Sequence, residues 1–166
     1  EAVVGSKFNE PVFVEKLCDY LVEQAVIENY NLCSYKKEKL GLKVDAWNHN
    51  EQNGVLVLVV SHYKDEIETL TTSGANQVSK RALKFFEKCL DSSYYSTMEE
   101  TDLAYPLARE ICLKADSISS IKIITVTNGI ISKSIKSQET KEINEIPVDF
   151  DIWDIERIYR IDSSKA

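Results

Sequence analysis

Residues 43–65, KVDAWNHNEQNGVLVLVVSHYKD, decide the fold. Around Asp45 the apolar residues alternate: Leu42, Val44 and Ala46 fall on one side, Lys43, Asp45 and Trp47 on the other. A period of two predicts a strand over 41–47. NHNEQNG then collects turn formers and ends on Gly54. Residues 55–63 open with the longest apolar run of the chain, VLVLVV, apolar on both faces, which predicts a central strand. The two make a hairpin with a loop longer than the tight two-residue kind.

Working outward, residues 10–28 predict an amphipathic helix. Asn9 is placed to cap it and Pro11 sits in its first turn. Phe13, Val14, Leu17, Tyr20, Leu21 and Ala25 share one face, and Glu15, Lys16, Asp19 and Glu23 the other. After the hairpin, residues 74–91 predict a second helix with Val78, Ala82, Phe85, Phe86, Cys89 and Leu90 inward. Residues 103–115 predict a third, with Pro106 near its start. Strands follow over 120–127, 130–136 and 146–152, with a turn at Asn128-Gly129, and a closing helix over 153–161. This order predicts an α/β fold, a central mixed β-sheet flanked by α-helices.

The length of 166 residues fits a single domain, and 43% hydrophobic with 28% charged residues suits a soluble one. VLVLVV is far too short to span a bilayer, and the first residues carry no secretory pattern. The expectation is no membrane partner. Cys18, Cys33, Cys89 and Cys112 are scattered, with no C-x-x-C pair. They read as buried free thiols of a cytoplasmic protein. A net charge of −7 argues against indiscriminate nucleic-acid binding, though not against a local basic groove.

Three constellations bear on chemistry. In the first, Asp45, His62 and Lys64 stand near strand ends. Metal-dependent phosphodiester cleavage needs oxygen ligands for a hard divalent ion, and a lysine to orient water and stabilise charge. His62 lacks the anionic charge of a carboxylate and suits softer ions than Mg²⁺. In the second, Glu15, Asp19 and Glu23 lie on the first helix away from its apolar stripe, and Glu23 is the best of these weaker candidates to join Asp45 and His62 around an ion. In the third, Lys80, Arg81, Lys84 and Lys88 run down the second helix and can track a phosphate backbone; Gln77 at the helix start can reach a phosphate or cap the helix. Each has a plain structural alternative: a strand-end ion pair, a solvated face, the polar side of an amphipathic helix. Nucleotide-binding glycine loops, H-E-x-x-H and G-x-S-x-G are absent from the sequence.

The segments FVEKLCDYLVEQAVI, GLKVDAW, GVLVLVVSHYKD, IKIITVTNGIIS and VDFDIWDIERIYRI follow one another in a succession that resembles the N-terminal region of the abortive-infection phage-resistance family. KVDAW with its hairpin and FDIWDIERIYR are the most specific parts. The resemblance implies a prokaryotic phage-defence protein, with residues 1–166 as its N-terminal domain and a C-terminal region of the full-length protein as a partner. It also implies a restriction-endonuclease-like, PD-(D/E)XK fold. In that motif Asp45 takes the aspartate's place and Lys64 the lysine's, while His62 stands where an acid belongs. Gln77 sits where some nuclease relatives carry a glutamine, and Arg157 matches a family position without a chemical role. Three readings stay open: a nuclease-like domain that binds nucleic acid or a partner but does not cut, with a degenerate metal site; an active Mg²⁺- or Mn²⁺-dependent DNA or RNA endonuclease; and a protein-interaction or dimerisation module.

Overall fold

The computed structural model describes residues 2–132 and 141–164. Its elements in chain order are α1 (Ala2–Glu23), β1 (Asn31–Lys37), β2 (Leu42–Asn50), β3 (Val55–His62), β4 (Thr69–Leu70), α2 (Thr72–Cys89), α3 (Ser92–Ser96), α4 (Tyr105–Leu113), β5 (Ser120–Thr127), β6 (Ile130–Ile131), β7 (Lys141–Ile143), β8 (Ile146–Trp153) and α5 (Ile155–Ser164). Six strands form one mixed sheet in the order β1-β2-β3-β5-β8-β7. The β1-β2-β3 meander is antiparallel, β3, β5 and β8 are parallel, and β7 closes the far edge antiparallel to β8. The expected α/β class with a mixed central sheet between helices is the observed one.

Alternation on β3 builds two cores. Leu56, Leu58 and Val60 face α2 and α4, where Phe85, Phe86, Leu107 and Ile111 pack on them. Val57 and Val59 face α1, meeting Val14, Leu17, Cys18 and Leu21. A strand covered on both sides reads as a continuous apolar run, which is why VLVLVV marked the centre of the sheet. Cys18, Cys33 and Cys89 are buried free thiols, and burial pushes the Cys18 thiol up to about 12. No helix among the described residues is long and apolar enough to cross a membrane.

Five local expectations are revised. The first helix starts at Ala2, so Asn9 does not cap it and Pro11 lies inside it. Proline's fixed φ is itself helical, and it forgoes one backbone bond there. The same helix stops at Glu23 rather than 28, because Ala25 turns left-handed (φ 59). Ala25 N–H then donates to the Val22 carbonyl at 3.0 Å and Val26 N–H to Leu21 at 2.9 Å, a Schellman closure made without glycine. Strand β1 escaped the pattern because Ser34 (φ 44) sits in a bulge where the register with β2 slips. On β2, Leu42 and Val44 join the α2-side core but Ala46 joins the α1-side core, so the alternation breaks at Asp45. Of the strand expected over 130–136, β6 covers Ile130–Ile131, and residues 133–136 lie outside the described ones.

Beyond the C-terminal ends of β3 and β5, the parallel pair β4–β6 forms a small separate sheet. The Asn128-Gly129 turn fastens it. The Asn128 side chain accepts from Lys64 N–H (3.1 Å) and donates to the Lys64 carbonyl (2.6 Å). A Cβ on Gly129 would stand 2.4 Å from the Glu68 carbonyl oxygen, so only glycine fits.

Candidate functional site

The β2–β3 ladder is regular up to the pair Ala46 and Val59. Past it, Asp45 Oδ2 accepts the Ser61 backbone N–H at 2.7 Å and the Ser61 hydroxyl at 3.1 Å. A side-chain carboxylate thus takes a backbone donor of the neighbouring strand, which fits the break in alternation at Asp45.

Lys43, two residues earlier, turns to the same place. Its ammonium donates to the Ser61 carbonyl (2.6 Å), to Glu10 Oε1 (2.7 Å) and to Ser61 Oγ (2.8 Å). Asp45 Oδ2 lies 3.4 Å from it. The Ser61 hydroxyl also lies 2.8 Å from Glu10 Oε1. Lys43, Asp45 and Ser61 are buried, and Glu10, from α1, covers them. Burial, then the Glu10 charge, raise the Asp45 carboxyl above the ordinary carboxylate range; Lys43 and the Ser61 bonds only partly offset them. Burial also pushes Glu10 upward, but its bond and charge contact with Lys43 and its bond with Ser61 outweigh that and leave it lowered. The cluster sits by the carboxyl end of β3, the end of parallel strands where open α/β sheets ordinarily place their sites.

His62 continues the alternation of Leu56, Leu58 and Val60 and therefore faces the α2 side, away from Ser61. Burial, then the Lys64 charge, lower its pKa, with Arg81 on α2 also contributing. Tyr63 turns back to α1, its ring 5.2 Å from that of Phe13. Lys64 is exposed, and the ammonium beside Asp45 is that of Lys43. Glu23 ends α1, thirteen residues beyond Glu10, the α1 acid that reaches the cluster. Among the described residues, Asp45, His62 and Glu23 do not come within sharing distance of one ion. On α2, Gln77, Lys80, Arg81, Lys84 and Lys88 are all exposed. Lys80 and Lys84 border a shallow groove with Lys141, Glu87 and Glu142. Lys88 lies over the Tyr94 ring at 5.4 Å.

The closing segment is a clamp. Arg157 Nη1 donates to Asp151 Oδ1 (2.7 Å) and to the Ile152 carbonyl (2.8 Å), and its guanidinium lies 3.7 Å from the centre of the Trp153 ring. Trp153 Nε1 donates to the other Asp151 oxygen at 3.0 Å. Buried Asp154 caps α5 through Arg157 N–H (2.8 Å) and holds β6 through Ile131 N–H (2.7 Å). The distinctive FDIWDIERIYR stretch therefore joins β8, β6 and α5.

The sequence model of the abortive infection phage resistance protein N-terminal domain matches residues 13–160. The chain belongs to that family. Searches of curated proteins and of solved structures found no match. The matched span of this phage-resistance N-terminal domain contains Lys43, Asp45, Ser61 and the Arg157 clamp, while Glu10 lies just before it. Reading the sequence did not single out Glu10, Lys43 or Ser61 as site residues. The available signal was the period of two, which put Lys43 beside Asp45 on one strand face; nothing local marked Glu10 as their partner.

Proposed function

We propose that this phage-defence domain is a nuclease-like module that binds nucleic acid without cutting it. The observation that carries the reading is the Lys43 ammonium, set within 2.6–3.4 Å of oxygens from Glu10, Asp45 and Ser61. A helix, a three-strand meander, a second helix and a strand parallel to the third support restriction-endonuclease-like kinship. So does an acid on the meander's middle strand facing an acid from the first helix. In a metal-dependent nuclease such oxygens gather around a divalent cation. Here a lysine supplies the cation. Mg²⁺ demands near-octahedral oxygen coordination and usually keeps several waters, which a buried ammonium-filled cluster does not provide. His62 on the other face adds no ligand to it. The binding face in this reading is the exposed line of Gln77, Lys80, Arg81, Lys84 and Lys88 on α2.

The test is incubation of the protein with single- and double-stranded DNA and RNA, with Mg²⁺ or Mn²⁺, beside Asp45→Asn and Lys43→Met. Binding to the same probes is followed by fluorescence anisotropy. Binding without cleavage above the variants' background is the expected result. Metal-dependent cleavage abolished by both substitutions would establish the active endonuclease instead. No binding to any probe at low salt would leave the protein-interaction module.

A further inference from the structure

A second cluster lies at the other end of β2. His49 faces the α2 and α4 side, opposite Leu56 of β3. Its side chain is fully enclosed, and neither ring nitrogen has a hydrogen-bond partner. An imidazole buried in that way loses its water contacts with nothing in return. Its Nδ1 instead faces Glu110 Oε2 of α4 at 3.5 Å. Glu51, in the hairpin turn, completes a trio in which one ligand atom from each residue lies within 4.8 Å of the others.

The turn that carries Glu51 is firmly built. Asn50 Oδ1 accepts from Gln52 N–H (3.0 Å) and Asn53 N–H (3.3 Å). Asn50 Nδ2 donates to Glu28 at 2.7 Å, and Gly54 N–H closes on the Asn50 carbonyl at 2.8 Å. Glu110 divides its oxygens, Oε1 to Lys114 at 3.1 Å and Oε2 toward His49. Lys114 also ion-pairs with Glu51.

We propose that His49, Glu51 and Glu110 bind a borderline divalent cation, with zinc the best match. The donor set is one imidazole nitrogen and two carboxylates, all common zinc ligands, with a fourth position left for water. Ligand atoms around a tetrahedral zinc sit about 3.4 Å apart. The His49–Glu110 separation is already of that size, and the Glu51 ligand atom lies within 4.8 Å of both. The ion sits between His49 Nδ1 and Glu110 Oε2, giving the enclosed ring nitrogen a partner, and it pins the β2–β3 turn to α4. Lys114 is the competitor, because its ammonium neutralises the same two carboxylates. The site lies four residues along β2 from Asp45, about 13 Å at strand spacing, and does not depend on the reading proposed above.

Equilibrium dialysis of the reduced full chain against Zn²⁺, with bound metal counted and the melting temperature followed, tests it. The wild type should bind one zinc per chain and melt at a higher temperature with it. Glu51→Gln, at an exposed turn position, and Glu110→Gln should each lower affinity at least about tenfold, and His49→Gln should remove binding. Lys114→Met should tighten binding by about tenfold, since a competing cation is gone. Zinc that is retained in the Glu51→Gln/Glu110→Gln double variant would overturn the proposal, since the free cysteines would then be holding it. A wild type without bound zinc would do so as well, and the cluster would be a plain His49–Glu110–Lys114 ion-pair network. An unchanged affinity in Lys114→Met would equally count against it.

Discussion

Lys43 and Asp45 occupy a position where one side chain's removal exposes what the other contributes. Lys43→Met leaves the Asp45 carboxylate buried with Glu10 nearby and no cation between them. Breaking one side of a buried pair ordinarily costs about 3–5 kcal/mol, measurable by urea denaturation. If the ammonium stands in for a divalent ion, millimolar Mn²⁺ should recover part of that loss in Lys43→Met and leave the wild type unmoved. A variant equally unstable with and without Mn²⁺ would contradict the stand-in. His62 makes a prediction of a different kind. Its folded-state pKa is lowered, by burial first, from an ordinary value of 6.5. The unfolded chain therefore takes up the proton first as pH falls. The stability tied to His62 is fully present above pH 6.5 and is lost as pH falls from there through its lower folded-state value. His62→Gln should flatten the acid-side decline in urea midpoint below pH 6.5, and an unchanged decline would show that other groups cause it.

At the scale of elements, the β7–β8 hairpin turns through Asn144 (φ 49) and Glu145 (φ 68), both left-handed, between the paired Ile143 and Ile146. Two positive φ values are those of a type I′ turn, whose favoured sequence is Asn-Gly. Glu145 carries a Cβ where glycine costs nothing, so Glu145→Gly should stabilise by about 0.5–1 kcal/mol, the strain relieved exceeding the added unfolded-state entropy. A lowered melting temperature would show that the glutamate side chain contributes more than its backbone strain costs. The same backbone logic ends α1 at Ala25. Helix α5 depends instead on side chains, since Asp154 caps it and Arg157 folds back across Trp153. That clamp gives Arg157 a structural role, which its position in the sequence did not reveal.

For the whole molecule, a net charge of −7 sets a field that repels polyanions, so any nucleic-acid contact must be local and salt-sensitive. The α2 line is tempered by Glu87 and Asp91, and Lys84, Lys88 and both acids border one groove. If Lys80, Lys84 and Lys88 each meet a phosphate, replacing all three with Glu should reduce the slope of log affinity against log salt by about 3. An unchanged slope would move the contact to another face. The mixed sheet, cored on both sides, holds α2 on the face opposite the Lys43–Asp45 cluster. The proposed binding face on α2 and the Lys43–Asp45 cluster are therefore separable by mutation.

The sequence by itself determined the β2–β3 hairpin, and which faces are buried wherever apolar residues kept a strict period. VLVLVV read as an inner strand, and the face of Val78, Ala82, Phe85 and Phe86 as a core face, because burial follows spacing. Family membership was legible for the same reason, since KVDAW and FDIWDIERIYR are local strings. Three things were decided only by tertiary structure. Left-handed backbone at Ala25 and Ser34 ended a helix early and hid an edge strand, and neither residue announces such a conformation. The bond from Ser61 N–H to Asp45 joined residues sixteen apart across a broken ladder. Glu10 met Lys43 across thirty-three residues, and His49 met Glu110 between a strand and a distant helix. Polar clusters of this kind obey no period. Their members are chosen by where the packed sheet and helices bring charges together, so the partner of Asp45 became visible only once the chain was folded.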